Sequence, residues 1–339
     1  MTNLEFEDIK NVAELPYRWD NLNNKTILIS GGTGFIGSFL INIFKYRNEY
    51  YNSNIRVISL SRNGGDSDST VQNLKCDITE KINYEKNVDY VIHLASNTHP
   101  KQYDMYPVET ITTNVIGCNN LLQFSLLHGV KRFLLASSVE IYGQGNDVSM
   151  DEKYCGYLDC NNARNGYNEA KRTCEALCQS YIKQYGLDCI IARLARVYGA
   201  DKKNDSKALS QFMKSALGNE NIILKSNGKQ QFSYCYISDA GSALIKLLLD
   251  GINGEAYNVA ADYDGNTLGD YAVYIAALAN RKVKYEIEDN DSVSKASYAV
   301  LDTQKIKELG WKPKKSVLEG IKNTYYIYKS REKQRKTYK

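Results

Sequence analysis

Histidine is scarce in this chain, three in 339 residues, and its eight cysteines include no Cys-x-x-Cys pair. Without that spacing there is no ligand set for a structural metal, and no metal site is expected. The cysteines, at positions 76, 118, 155, 160, 174, 178, 189 and 235, read as free thiols of a reducing cytosol. No apolar stretch reaches the length that spans a bilayer. The opening MTNLEFEDIKNVAEL carries acids where a secretory signal needs basic residues and then an apolar run. A soluble, cytoplasmic protein without membrane contact is therefore expected. An excess of one charge is lacking too: 43 Lys and Arg against 39 Asp and Glu leave +4 over a large surface, too little to attract nucleic acid.

Apolar residues are plentiful at 43%, enough for a sizeable core, and the length suggests two domains or one large domain with a smaller lobe. Thr26–Ser30 is a short apolar run ending in glycines, and residues 35–46 then show helical spacing of Phe, Ile and Leu. Further apolar runs at 55–60, 90–94, 133–136 and 189–192 alternate with stretches long enough for helices, clearest at 110–128 and 167–185. This alternation predicts an α/β fold, a doubly wound parallel sheet of Rossmann type with a smaller C-terminal α/β lobe. Residues 1–24 are read as an N-terminal extension and 25–199 as the Rossmann domain, to which some later segments return. Residues 200–325 are mainly the smaller lobe, with a helix over 208–217, and 326–339 are a solvated, disordered basic tail.

Gly31-Gly32-Thr33-Gly34-Phe35-Ile36-Gly37 lies between the first strand and the first helix of that domain. Gly31 allows a sharp turn, Gly34 a close backbone approach to a pyrophosphate, and Gly37 close packing of helix on sheet. The amides at the helix start, from Gly34 through Phe35, Ile36 and Gly37, are expected to hold the phosphates of a dinucleotide. At the end of the second strand a carboxylate would accept from the ribose 2′-hydroxyl of NAD, whereas a basic residue would neutralise the 2′-phosphate of NADP. The residues there are Ser61-Arg62-Asn63. Arg62 is taken as the 2′-phosphate partner and NADP(H) as the preferred cofactor. NAD(H) is the alternative, with Asp66 or Asp68 folding back or Arg62 simply exposed.

Tyr167 and Lys171 stand four residues apart on an expected helix, hence on one face. An ammonium beside the phenol stabilises the phenolate, so the tyrosine can exchange a proton with a substrate hydroxyl or carbonyl. The spacing alone is common. Joined to the glycine turn, to Phe133–Gly143 (FLLASSVEIYG) and to Arg193–Gly199 (RLARVYG), it is specific.

With these motifs the sequence resembles the extended short-chain dehydrogenase/reductase family, in particular its nucleotide-sugar epimerases, dehydratases and decarboxylases, from about Lys25 to Lys322. The resemblance implies that Asp77 and Ile78 lie by the adenine and that Leu94, Ala95 and Ser96 line the cofactor cleft. Ser138 would hydrogen-bond the reacting oxygen, Tyr167 would be the acid/base, and Lys171 would hold the nicotinamide ribose. A nucleotide-sugar substrate and a homodimer are implied as well. By family position alone, Ser206, Gln211, Lys225 and Tyr236 are candidates for the substrate's nucleotide.

The tracts 93–143 and 167–181 look most like UDP-glucuronate decarboxylases, but the chain departs from them. Val139-Glu140 replaces the Ser-Glu pair of such enzymes and the Asp-Glu pair of sugar 4,6-dehydratases. Phe232 stands where a C-terminal arginine would meet a sugar carboxylate, and a phenyl ring cannot pair with one. Glu140 is left as either a second acid/base or a structural carboxylate. Arg196, in place of an asparagine usual before Tyr198-Gly199, is either a cation for a substrate phosphate or a surface ion pair. The preferred expectation is an NADPH-dependent reductase of a nucleotide-linked ketose, with cytidine as the suggested nucleotide, making an alditol for a surface polysaccharide. A 4-epimerase that retains NAD is the alternative. A dehydratase or decarboxylase ranks lower, and a non-catalytic binding protein lowest.

Overall fold

The computed structural model describes residues 1–96, 100–145, 147–201, 207–287 and 297–337. Its centre is a seven-stranded parallel sheet. The strands are β1 (Thr26–Ser30), β2 (Arg56–Ser61), β3 (Val71–Lys75), β4 (Tyr90–His93), β5 (Arg132–Ser138) and β6 (Cys189–Leu194), joined by a seventh at Ala256–Val259. In space they run Ala256–Val259, β6, β5, β4, β1, β2, β3. The order reverses between β1 and β4, which opens a crevice at the carboxyl ends of those strands. Residues on each strand alternate between two apolar layers: Ile27 and Ile29 join one core, Leu28 the other. Helices α1 (Asn3–Ala13) and α2 (Phe35–Tyr51) pack in the first layer, α4 (Pro107–Leu127) and α5 (Gly166–Tyr185) in the second, and the short α3 (Pro100–Met105) precedes α4. No described helix is long and apolar enough to cross a membrane.

Two of the seven sheet strands are absent from the sequence reading. β3 is an edge strand, VQNLK, in which only Val71 is buried while Gln72 and Lys75 are exposed, so it shows no apolar run. The seventh strand holds only Ala-Tyr-Asn-Val and lies well past residue 199.

The N-terminal extension is helical, and the C-terminal tail differs from expectation. Residues 3–13 form α1 behind a capping box, in which Thr2 accepts from the Glu5 amide and Glu5 from the Thr2 amide. Ile9, Val12 and Ala13 then enter the main core. The basic tail is not a separate solvated segment, because helix Val317–Thr337 runs through it. Ile327 is buried, Tyr328 donates to the Asp201 carbonyl at 3.0 Å, and Arg331 pairs with Glu5 of α1 at 2.5 Å. An acid on α1 and a carbonyl on the body give these side chains partners that sequence position alone does not reveal.

Candidate active site

The glycine turn is built as its spacing requires. Gly31 has φ +76°, a conformation that favours glycine, and a side chain there would meet the Ala95 backbone nitrogen at 3.0 Å. A Cβ on Gly37 would lie 2.4 Å from the Gly31 carbonyl oxygen, so α2 sits directly against the turn. Gly34 caps α2 without a side-chain hydrogen bond, leaving the first amides of the helix for a ligand. An uncapped helix start over a cradle closed to side chains fits the pyrophosphate of a dinucleotide.

The turn opens onto a cleft of about 890 Å³. Gly31, Gly34, Phe35, Ile36, Gly37, Leu94, Ala95, Ser96, Ser138, Glu140, Tyr167, Lys171 and Arg196 all line it. Tyr167 and Lys171 come from the first turns of α5 and are both buried, with the Lys171 Nζ 5.9 Å from the Tyr167 ring centroid. Lys171 donates to the Ala136 carbonyl at 2.9 Å, which fixes its ammonium at the carboxyl end of β5. Ser138 ends β5, and its Oγ accepts from the Glu140 amide at 3.2 Å. The hydroxyl proton is thereby left to point elsewhere. Ser96 donates to the buried Asn114 at 2.8 Å.

A buried polar network holds this wall from behind. Ser137 is bonded to Glu175 at 2.5 Å, and Glu175 pairs with Arg193 at 2.7 Å. Arg193 also donates to the Tyr142 hydroxyl at 3.0 Å, and that hydroxyl donates to Asn258 at 2.6 Å. The 3₁₀ turn Val139–Tyr142, which carries Glu140, is thus tied to β6 and to the seventh strand.

Tyr103 of α3 was not found by sequence reasoning. Its ring stacks on that of Tyr167, centroids 4.5 Å apart and planes within 8°. Burial raises the Tyr103 phenol well above its ordinary range, so it stays protonated. A tyrosine ten residues after the end of β4 carries no spacing signal for such a stack. His93, at the end of β4, is fully buried and shares a 2.7 Å hydrogen bond with Ser30; burial lowers it to about 4, so it is neutral near pH 7.

Other candidates lie elsewhere. Tyr236 is no part of the cleft: its hydroxyl donates to Asp8 of α1 at 2.5 Å, because α1 packs over it. Ile78 is a core residue under α4, where a side chain on Gly117 would strike it at 2.4 Å. Asp77 accepts from the Thr79 amide and hydroxyl, which hold its carboxyl low with help from Arg62 nearby. Arg62 is exposed at the end of β2. Asp68 does not fold back to β2, since it pairs with Lys45 of α2 and accepts from the amides of Thr70 and Val71. Gln211 and Lys225 are exposed and do not line the cleft, and Ser206 falls outside the described residues.

The opposite wall revises the sequence reading. Phe232 lines the cleft, but the site is not without a cation there: the Arg196 guanidinium lies over the Phe232 ring, 3.9 Å from its centroid. The backbone explains it, because Arg196–Tyr198 pairs with Tyr234–Tyr236, and the Arg196 amide donates to the Ser233 carbonyl. Arg196 also stands 3.6 Å from Glu140, whose carboxylate accepts from Asn168 at 3.3 Å.

Residues 27–260 match the profile of the NAD dependent epimerase/dehydratase family. The chain belongs to that family. Its members are nucleotide-sugar-modifying, NAD-dependent enzymes of the extended short-chain dehydrogenase/reductase type. UDP-glucuronic acid decarboxylase 5 of Arabidopsis thaliana is 32% identical over 309 residues, 88% of each chain. UDP-glucuronic acid decarboxylase 1 of Xenopus tropicalis is 29% identical, over 91% of this chain and 73% of its own. Among solved structures, the UDP-glucose 4-epimerase of Thermotoga maritima superposes with a TM-score of 0.77 at 23% identity, over 90% of this chain and 99% of that one. A dTDP-glucose 4,6-dehydratase of Streptomyces venezuelae, solved with NAD, gives 0.76 at 24% identity, over 90% and 97%. These two share the fold of this epimerase/dehydratase enzyme.

Proposed function

We propose that the protein is an NADPH-dependent reductase acting on the keto-sugar part of a nucleotide-activated substrate. The observation that carries this reading is the convergence of Ser138, Tyr167 and Lys171 in one cleft beside the glycine turn. When bound, the nicotinamide supplies the hydride. Tyr167 gives its phenolic proton to the carbonyl oxygen, and Ser138, whose Oγ already accepts from the Glu140 amide, donates a hydrogen bond to the same atom without giving up its proton. Lys171 spends one N–H on Ala136 and keeps the others for the ribose and the Tyr167 oxygen. Val139 contributes no acid or base where water loss would need one.

The NADP preference is supported by Arg62 standing at the end of β2, and by Asp68 being committed to Lys45. The substrate we favour is a nucleotide-linked ketose, cytidine being the suggested nucleotide, reduced in the cytoplasm to an alditol for a surface polymer. A homodimer is the expected assembly, and Val108, Ile111 and Ile116 are exposed apolar residues of α4 that such a contact would cover.

A second reading, a 4-epimerase with retained NAD, draws on the likeness to the Thermotoga maritima epimerase and on the same three residues, which could serve proton removal and return alike. Purified protein incubated with NADPH and CDP- or UDP-linked ketoses tests both. Stoichiometric loss of the absorbance of the reduced nicotinamide is expected, with no carbon dioxide from UDP-glucuronate. Tightly retained NAD together with epimerisation of a nucleotide aldose would replace the reductase by the epimerase.

A further inference from the structure

The bonding of Arg196 is incomplete in a way that points to a ligand. Its guanidinium face is covered by Phe232, and its Nη2 is 3.6 Å from Glu140, an ion pair too long to be a hydrogen bond. Its Nη1 is buried and has no hydrogen-bond partner among the described residues. Stacking on a ring uses the face of an arginine and leaves its in-plane N–H donors for an anion. A buried donor without an acceptor is costly, and an anion with several oxygens relieves that cost where one distant carboxylate oxygen does not.

Glu140 is the only acid of the Val139–Tyr142 turn, and the same turn begins directly after Ser138. Arg196 therefore connects the outer wall of the cleft to the segment that positions the reacting hydroxyl. On the reading of the substrate as a nucleotide sugar, we propose that Arg196 receives the substrate's diphosphate and that this anion displaces Glu140 as its partner. Phe232 keeps the guanidinium in place during the exchange, since stacking does not depend on which anion lies in the plane. Substrate arrival thus frees the Glu140 carboxylate beside Ser138 and Tyr167, whereas the ligand-free enzyme holds it in the ion pair.

The exchange makes Glu140 a competitor of the ligand, and that gives the variants opposite signs. Binding of UDP and CDP to the full-length protein is measured by calorimetry, with thermal unfolding and NADPH and NADH titrations as controls for folding and for the dinucleotide side. Arg196→Gln is expected to weaken both diphosphates at least tenfold without changing dinucleotide affinity. Arg196→Lys should recover part of that loss. Glu140→Gln should tighten UDP and CDP at least threefold, and Phe232→Leu should weaken them less than Arg196→Gln does.

Unchanged UDP and CDP affinity in a folded Arg196→Gln protein overturns the assignment alone. Weakening rather than tightening by Glu140→Gln overturns the exchange, because the pair would then be a structural one. Failure of the wild-type protein to bind any nucleoside diphosphate removes the nucleotide-sugar reading and this proposal with it.

Discussion

The two walls of the cleft are made in different ways. The dinucleotide side comes from contiguous segments, strand β1 with its glycine turn and α2, and β5 followed by the start of α5. The substrate side is assembled from single residues of separate segments: Arg196, Phe232 and Glu140. The first kind of wall constrains several neighbouring positions at once, so it leaves a motif. The second leaves only isolated residues, each of which reads alone as a departure or an ordinary surface charge.

The largest effect should fall on the contiguous side. Tyr167→Phe is expected to lower turnover by roughly 100-fold or more, the scale of general acid catalysis, with dinucleotide affinity nearly intact. Assays of NADPH consumption alongside cofactor titrations check this, and a variant keeping a tenth of its activity would move the acid to another residue.

Gly37→Ala comes next. Its Cβ would sit 2.4 Å from the Gly31 carbonyl and 2.7 Å from the Gly32 Cα, both backbone atoms, so the turn or the helix must shift. Chemical denaturation should register a loss of about 1–3 kcal/mol, and either dinucleotide should bind more weakly. An unperturbed Gly37→Ala protein would remove the geometric basis of the contrast between the walls.

Arg62→Ala sharpens the comparison within the dinucleotide side, because Arg62 is its one cofactor residue read from a replaced position. NADPH affinity should fall by about 1.5–3 kcal/mol, the range for a charge-assisted hydrogen bond, while NADH affinity stays. Equal affinity for both dinucleotides in the wild-type protein would return Arg62 to the solvent.

The smallest effect concerns Asp239, at the start of helix Ile237–Asp250 on the far side of the substrate wall. Burial raises its carboxyl to about 6 from 3.8, although it accepts from the amides of Lys314 and Lys315. The folded protein therefore binds this proton more tightly than the unfolded chain, and stability from this group is lost as pH rises from about 4 to about 6. Asp239→Asn should gain on the wild type over that interval and hold the gain above it. Denaturation midpoints at several pH values measure it, and a constant difference would mean that Asp239 is ionised throughout.

The Rossmann sheet, the glycine turn and the Ser138, Tyr167, Lys171 set were legible because each rests on local periodicity or fixed spacing within one segment. Edge strand β3 was not, since Val71 is its only buried residue. Tyr236 was misplaced because sequence position could not show α1 lying over it with Asp8 aimed at its hydroxyl. The hardest feature was the stack of Arg196 on Phe232. The residues are 36 positions apart, and only the pairing of two short strands makes them neighbours. Reading Phe232 by itself suggested a missing cation, whereas the pair retains one.

The clasp between the first and last helices sets an order in which the molecule would come apart. Arg331 grips Glu5, Tyr328 holds the carbonyl of Asp201, and the Tyr198 hydroxyl donates to Val317 at the root of the same helix. Tyr198 is two residues from Arg196 on one short strand. Fraying that starts at the C-terminus reaches this strand by way of one helix, without first disturbing β1, α2 or β5. Partial opening would then loosen the wall that carries Arg196 while the half built on the glycine turn still stood.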